Sequence, residues 1–105
     1  MDAVFKALAD QSRRSMLDRL DTSPGLTLSE LIEGLEMTRQ SASRHVSILE
    51  ASGLVVTYWS GREKLHYLNP VPIVEMADRW LDKFSKDKGR AILALKSALE
   101  KKSNE

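Results

Sequence analysis

The sequence predicts a mainly α-helical fold with one small β-hairpin, and three observations carry that prediction. Apolar residues recur at helical spacing through most of the chain. One stretch, LVVTYW (54–59), breaks that rhythm with β-branched and aromatic residues and is followed, after a Ser-Gly pair, by EKLHYL (63–68). Finally, 105 residues that are 42% hydrophobic and 30% charged can build one core and leave no room for a second of equal size. A single domain over 1–105 is therefore expected.

Taken in order, Asp2 can cap a first helix over about 2–9, with Val4, Phe5, Leu8 and Ala9 on one face. Asp10 can cap a second, where Met16, Leu17 and Leu20 form the inward stripe. Thr22-Ser23-Pro24-Gly25 reads as a turn. Thr27-Leu28-Ser29-Glu30 matches a capping box, in which the Thr hydroxyl and the Glu carboxylate each satisfy one orphan amide. The short helix behind it carries Leu28, Leu31, Ile32 and Leu35, with Gly34 near its end.

Thr38 can cap the next helix, which runs to about Ser52 and stops at Gly53. Its apolar stripe is Ala42, Val46 and Leu49, with Ile48 beside it. The opposite face carries Arg39, Gln40, Ser43, Arg44 and Ser47. The hairpin follows, with Ser60-Gly61 expected as its two-residue turn and Asn69-Pro70 as its end. From Val71 to about 101 the helical rhythm returns, with Ala77, Phe84, Ala91 and Ala98 spaced by seven. One continuous helix is the preferred reading. A break near Gly89 is the alternative, since Gly costs about 1 kcal/mol relative to Ala in a helix.

The composition excludes several functions. With no cysteine there is no disulfide, thiolate metal site or cysteine nucleophile. No stretch reaches the roughly 18–20 apolar residues of a membrane span, and the opening MDAVFKALAD does not read as a signal peptide. A cytoplasmic location is expected. The glycines are scattered singly, so there is no phosphate loop, and no Ser-His-acid set has local support; no enzyme activity and no cofactor are expected. The net charge of +1 decides nothing, but its distribution is uneven. Residues 21–36 hold Asp21, Glu30, Glu33 and Glu36 and no base, whereas Arg39, Arg44, Arg62 and Lys64 outnumber Glu50 and Glu63 over 39–64. The basic stretch from Lys83 to Lys102 reads by default as a solvated helix face, with docking to an acidic partner or general attraction to DNA as the other readings.

Two helices joined by a tight turn over about 28–52, the second polar outside, read as a helix-turn-helix, and a hairpin behind it over about 54–68 reads as a wing. A polar helix face alone is only a solvated face. The capped turn before it and the Gly-Arg hairpin after it make it a candidate for the major groove of double-stranded DNA, about 12 Å wide. Gln40, Ser43 and Arg44 are the candidates for base edges, because Arg can bond guanine and Gln adenine through two hydrogen bonds each. Arg39 and Ser41 suit phosphates or flanking bases, and Arg62 and Lys64 at the wing suit phosphate or the minor groove. His45 and His66 have no chelating spacing; His45 reads as a packing or hydrogen-bonding residue and His66 as a half-buried strand residue. Arg13 and Arg14 read as solvated or locally paired.

With FKALADQSRRSMLDRL (5–20), SRHVSILEASGLV (43–55) and SGREKLHYLNP (60–70), the chain resembles the ArsR-type family of winged-helix transcriptional repressors over roughly residues 3–84. It is similar to the subgroup without metal-site cysteines. The resemblance implies a winged helix-turn-helix with a long C-terminal dimerisation helix, and a homodimer that binds a near-palindromic operator. It places the dimer interface on the helices over about 2–9 and 71–101, at Val4, Phe5, Leu8, Ile73, Met76, Ala77, Trp80 and Phe84. Its metal-sensing role does not carry over. The thiolate stretch here reads SELIEGLEM, and the last helix offers Glu75, Asp78 and Asp82 without a His. The releasing signal, a small molecule, a partner protein or the protein's own level, is left open. So is a protein-interaction module that never meets DNA.

Overall fold

The computed structural model of the chain describes residues 2–84 and 86–103. The elements are α1 (Asp2–Leu8), α2 (Gln11–Thr22), α3 (Leu28–Ile32), α4 (Arg39–Ala51), β1 (Val55–Ser60), β2 (Glu63–Leu68), α5 (Val71–Phe84) and α6 (Lys86–Ser103). They fall into two units, Met1–Ile73 and Val74–Glu105.

In the first unit α2 is the hub, packing against α1, α3, α4 and β2. Its inward stripe Met16, Leu17 and Leu20 is buried as the spacing predicts, and so are Ala42, Val46 and Leu49 of α4. Val4 and Ala7 of α1, Leu31 of α3, and Leu54 and Val55 at the entrance to the hairpin complete the set. Each fully buried Leu contributes roughly 2–3 kcal/mol of transfer free energy, so this small core depends on every member.

Local chemistry fixes where the helices begin and end. Asp10 caps α2 by accepting from the Arg13 amide, and Thr38 caps α4 by accepting from the Ser41 amide at 3.0 Å. The capping box at α3 is complete: the Thr27 amide donates to Glu30 Oε1 at 3.1 Å and the Glu30 amide to Thr27 Oγ1 at 3.3 Å. These bonds from Thr27, first through its amide and then through its hydroxyl, hold the Glu30 carboxyl below the usual carboxylate range. Asp2, expected as a cap, lies inside the first turn of α1. At the other end of α4, Gly53 adopts φ +80°. Its amide donates to Glu50 O and the Leu54 amide to Leu49 O, the paired bonds of a Schellman ending.

The two strands pair antiparallel from Val55 opposite Leu68 to Ser60 opposite Glu63. The turn is therefore Gly61-Arg62, one residue later than expected. Two-residue hairpin turns need positive φ at their first central position; Gly61 supplies it at +63°, where Ser60 would be strained. His66, expected to be half-buried, is 3% exposed. The reason lies in the loop before α3: the His66 amide donates to Leu26 O at 2.8 Å, its ring Nδ1 sits 2.8 Å from the same oxygen, and Gly25 donates to His66 O. Asn69 closes the hairpin by donating through its side chain to Gly53 O at 2.9 Å, while its side-chain oxygen accepts from the Val71 amide.

The second unit holds most of α5 and all of α6. Helix is described on both sides of residue 85, over Val71–Phe84 and Lys86–Ser103, and residue 85, on which the continuity expected over 71–101 turns, lies outside the described residues. Gly89, the expected weak point, lies within α6. No residue of α5 is buried, and Val74, Trp80, Leu81 and Phe84 are exposed, as are Ile92, Leu93, Leu95 and Leu99 on α6.

Candidate nucleic-acid interface

Helix α4 turns its apolar stripe inward, so the residues between must face out. Arg39, Gln40, Ser43, Arg44 and Ser47 are all exposed, and Ser41 is half-buried. Arg39 Nη1 donates to Ser29 Oγ at 2.7 Å, which ties the start of α4 to the start of α3. The Ser47 hydroxyl folds back onto Ser43 O at 3.0 Å. The side chains of Gln40 and Arg44 make no hydrogen bond or ion pair among the described residues, so their donors are available to a ligand.

The hairpin stands beside this face. Strand alternation and the register place Val55, Thr57 and Trp59 on its inner side with Lys64, His66 and Leu68. Arg62 is at the exposed tip. Lys64, expected to meet phosphate or the minor groove, has its Nζ 3.2 Å from Glu50 Oε1 near the end of α4, a pair in which both side chains are about one-third exposed. Between the start of α3, the outer face of α4 and the inner face of the wing runs an open cleft of about 580 Å³. Ser29, Arg39, Ser43, Trp59, Arg62 and Lys64 are among its walls. Four of the expected DNA-contacting residues, Arg39, Ser43, Arg62 and Lys64, thus line this cleft, while Gln40 and Arg44 are exposed on α4 outside its lining. Sequence reasoning missed Trp59 and Ser29. Trp59 was findable by counting by twos from buried Val55; Ser29 carried no signal of its own.

Behind α4 lies a second polar group. Arg13 Nη1 donates to His45 Nδ1 at 3.2 Å, its Nε to Ala7 O at 2.8 Å and its Nη2 to Lys6 O at 2.8 Å. Asp10 Oδ1 lies 3.9 Å from His45 Nδ1. The Arg13 amide chiefly holds the Asp10 carboxyl below its usual range; partial burial opposes this, and the Arg13 charge adds to it. A guanidinium only donates, so Nδ1 is the acceptor in this arrangement, and the Arg13 side chain of α2 joins α1 to α4. His45 therefore has the hydrogen-bonding role expected of it. Among the described residues no three His, Asp or Glu side chains cluster as metal ligands.

Of the residues expected to meet a second chain, Phe5 is 40% exposed and Leu8 half-buried, while Val4 is itself core and has little surface left to offer. On α5, Trp80 and Phe84 are exposed with ring centroids 5.1 Å apart, and Ile73, Met76 and Ala77 are half-buried.

Comparison with known proteins bears on this geometry. A model described as a helix-turn-helix domain matches residues 8–58. The chain is 37% identical over 87 residues to YuzN of Bacillus subtilis (strain 168), an HTH-type transcriptional regulator, across 77% of this chain and 95% of that one. It is 27% identical to the transcriptional repressor SdpR of the same organism, across 80% of this chain and 91% of that one. Among solved structures, an ArsR-like transcriptional regulator from Rhodococcus sp. RHA1 superposes with a TM-score of 0.73 at 29% identity, covering 95% of this chain and 90% of that chain.

Proposed function

This chain belongs to the ArsR-type winged helix-turn-helix family of DNA-binding transcriptional regulators, and from that premise we propose that it is a homodimeric repressor occupying a near-palindromic operator in the cytoplasm. The observation that carries the reading is the division of α4 into a buried apolar stripe and an exposed face holding Arg39, Gln40, Ser43 and Arg44. Capped by Thr38 and held to Ser29 by Arg39, the start of α4 is a rigid platform for a major groove. Gln40, Ser43 and Arg44 read base edges; Arg39, with the Ser41 hydroxyl, meets phosphate or a flanking base. Arg62 meets phosphate or the minor groove from the wing. Lys64 adds its charge from beside Glu50.

Repression then needs no catalytic step: occupancy of the operator excludes polymerase. SdpR is named a transcriptional repressor, which supports that direction of control. The second copy supplies the second half-site, and we assign to its contacts Trp80 and Phe84 of α5 and, taken separately in the other unit, Phe5 and Leu8 of α1. Two recognition helices about one turn of DNA apart, about 34–36 Å, read an inverted repeat.

The test is selection from a random pool of duplex DNA at low salt, run beside sedimentation of the purified protein. The expected outcome is a dimer mass and an enriched inverted repeat whose half-sites lie about ten base pairs apart. Trp80→Glu should convert the dimer to monomer and weaken operator binding. Absence of any enriched sequence would overturn the DNA reading in favour of a protein-interaction module, and a chain that stays monomeric on DNA would overturn the homodimer.

A further inference from the structure

Trp59 is 69% exposed, more than Tyr58, Trp80, Phe84 or Phe5. Its place is specific. The register sets it opposite Lys64, on the same side of the hairpin as buried His66, so it faces the cleft beside α4 rather than open solvent. Arg62 at the wing tip, Lys64 across the strand and Arg39 on the far wall stand around it, with Glu63 and the Lys64 partner Glu50 in the same lining. No ring partner or hydrogen bond holds the indole among the described residues. An apolar ring beside Arg62 and Arg39, neither of which pairs with a carboxylate among the described residues, fits a ligand that is partly apolar and partly anionic.

The DNA backbone is such a ligand. A helix seated in a major groove is flanked on each side by a ridge of sugars and phosphates. A hairpin standing alongside that helix must meet the ridge, and the cleft between them is where the ridge must run. Deoxyribose offers C–H surface to the face of an indole, and phosphate offers an acceptor to its Nε1–H. Resting on the DNA-binding reading above, we propose that Trp59 grips the sugar-phosphate ridge in this cleft, its ring against a deoxyribose and its Nε1–H on a phosphate oxygen. The contact fixes the register of the wing on the duplex and carries no sequence information.

The experiment uses the full chain and the duplex it enriches from the random pool. Trp59→Ala should weaken binding about tenfold, the size of one aromatic contact to nucleic acid. The loss should be similar on the enriched duplex and on an unrelated one, with the same sequence enriched as before and an unchanged melting curve. Trp59→Phe should recover part of the affinity. The chain has two tryptophans, so the emission present in the native protein and missing from Trp59→Phe belongs to residue 59. That emission should lose its access to acrylamide when the duplex is bound. If the native chain enriches a duplex but Trp59→Ala binds it within twofold, or the indole stays open to acrylamide in the complex, the assignment of Trp59 falls and the DNA reading stands. If Trp59→Ala enriches a different sequence, the ring reads a base and the backbone assignment is wrong. If the native chain enriches nothing, both fall together.

Discussion

The arginines of α2 and those of α4 and the wing do opposite work within one small unit. Those of α2 are consumed by the protein. Arg13 donates to two carbonyls at the end of α1, Arg14 to Leu8 O at 2.6 Å, and Arg19 to Leu31 O at 3.0 Å and to Glu33 O at the end of α3. The last carbonyls of a helix have no partner inside it and lie at the negative end of its dipole, so a guanidinium placed there offsets both deficits. Helix α1 has seven residues and α3 five, too few to be stable alone. Arg44 and Arg62 have no such partner among the described residues. Arg39 stands between the two groups, with one bond to Ser29 and the rest of its fork outward. The same residue type is a structural clamp on one helix and a reading head on another. What decides is whether an orphan carbonyl lies within reach.

The largest effect that could break this contrast is on stability. Arg13→Ala removes three side-chain hydrogen bonds and leaves Ala7 O and His45 Nδ1 without a donor. Unfolding in urea should show a loss of about 2–4 kcal/mol. Arg13→Lys should recover little of it, because an ammonium cannot serve three acceptors that lie around a planar fork. Arg44→Ala is the mirror test. Its melting curve should stay within about 0.5 kcal/mol of the native one, while affinity for the enriched duplex falls by about 1–3 kcal/mol and selectivity relaxes at one base. If Arg44 governed stability and Arg13 only DNA affinity, the division of labour would be reversed.

How far this was legible follows from the distance between partners. Caps are local: Asp10, Thr27 and Thr38 start their helices and Gly53 ends α4 through bonds within a few residues, where the pattern places them. The outward face of α4 follows from the three-and-four spacing alone. What failed to show are pairings across the chain. Arg13 reaches His45 over 32 residues, so nothing nearby marks it as a clamp rather than a solvated side chain. Lys64 meets Glu50 over 14, and His66 meets Leu26 over 40, which turns a half-buried strand residue into a buried one. Trp59 lay within reach of the strand period, but its meaning needed the hairpin register and the cleft beside it. The turn itself shifted from Ser60-Gly61 to Gly61-Arg62 because backbone sterics, not composition, choose the residue at positive φ.

A smaller effect is expected at the wing. Arg62→Ala should weaken binding to the enriched duplex and to an unrelated one by similar factors. Plotted as log affinity against log salt, its slope should be shallower than the native slope by about one phosphate's worth, roughly 0.9. An unchanged slope with altered sequence choice would mean that Arg62 reads a base edge in the minor groove, and would move it from the positioning group to the reading group of arginines.

The smallest effect concerns the acid limb of stability, and it probes the clamp side of the contrast. The Arg13 amide, above all, depresses the Asp10 carboxyl in the folded chain. Between that depressed value and the ordinary one near pH 4, the unfolded chain binds the proton and the folded chain does not, so stability rises with pH across that window. The contribution of Asp10 is complete above about pH 4 and fades as the pH drops through the folded value. Glu30, depressed by Thr27, titrates in the same direction, so a single acid transition would not tell the two apart. Asp10→Asn separates them, because Asn still accepts from the Arg13 amide as a cap while carrying no charge. Urea midpoints measured from pH 3 to pH 6 should show a shallower acid limb for Asp10→Asn than for the native chain, with the two curves closest at the lowest pH. An identical acid limb in both would mean that the cap works through its hydrogen bond alone, and that the Arg13 corner draws nothing from the carboxylate charge.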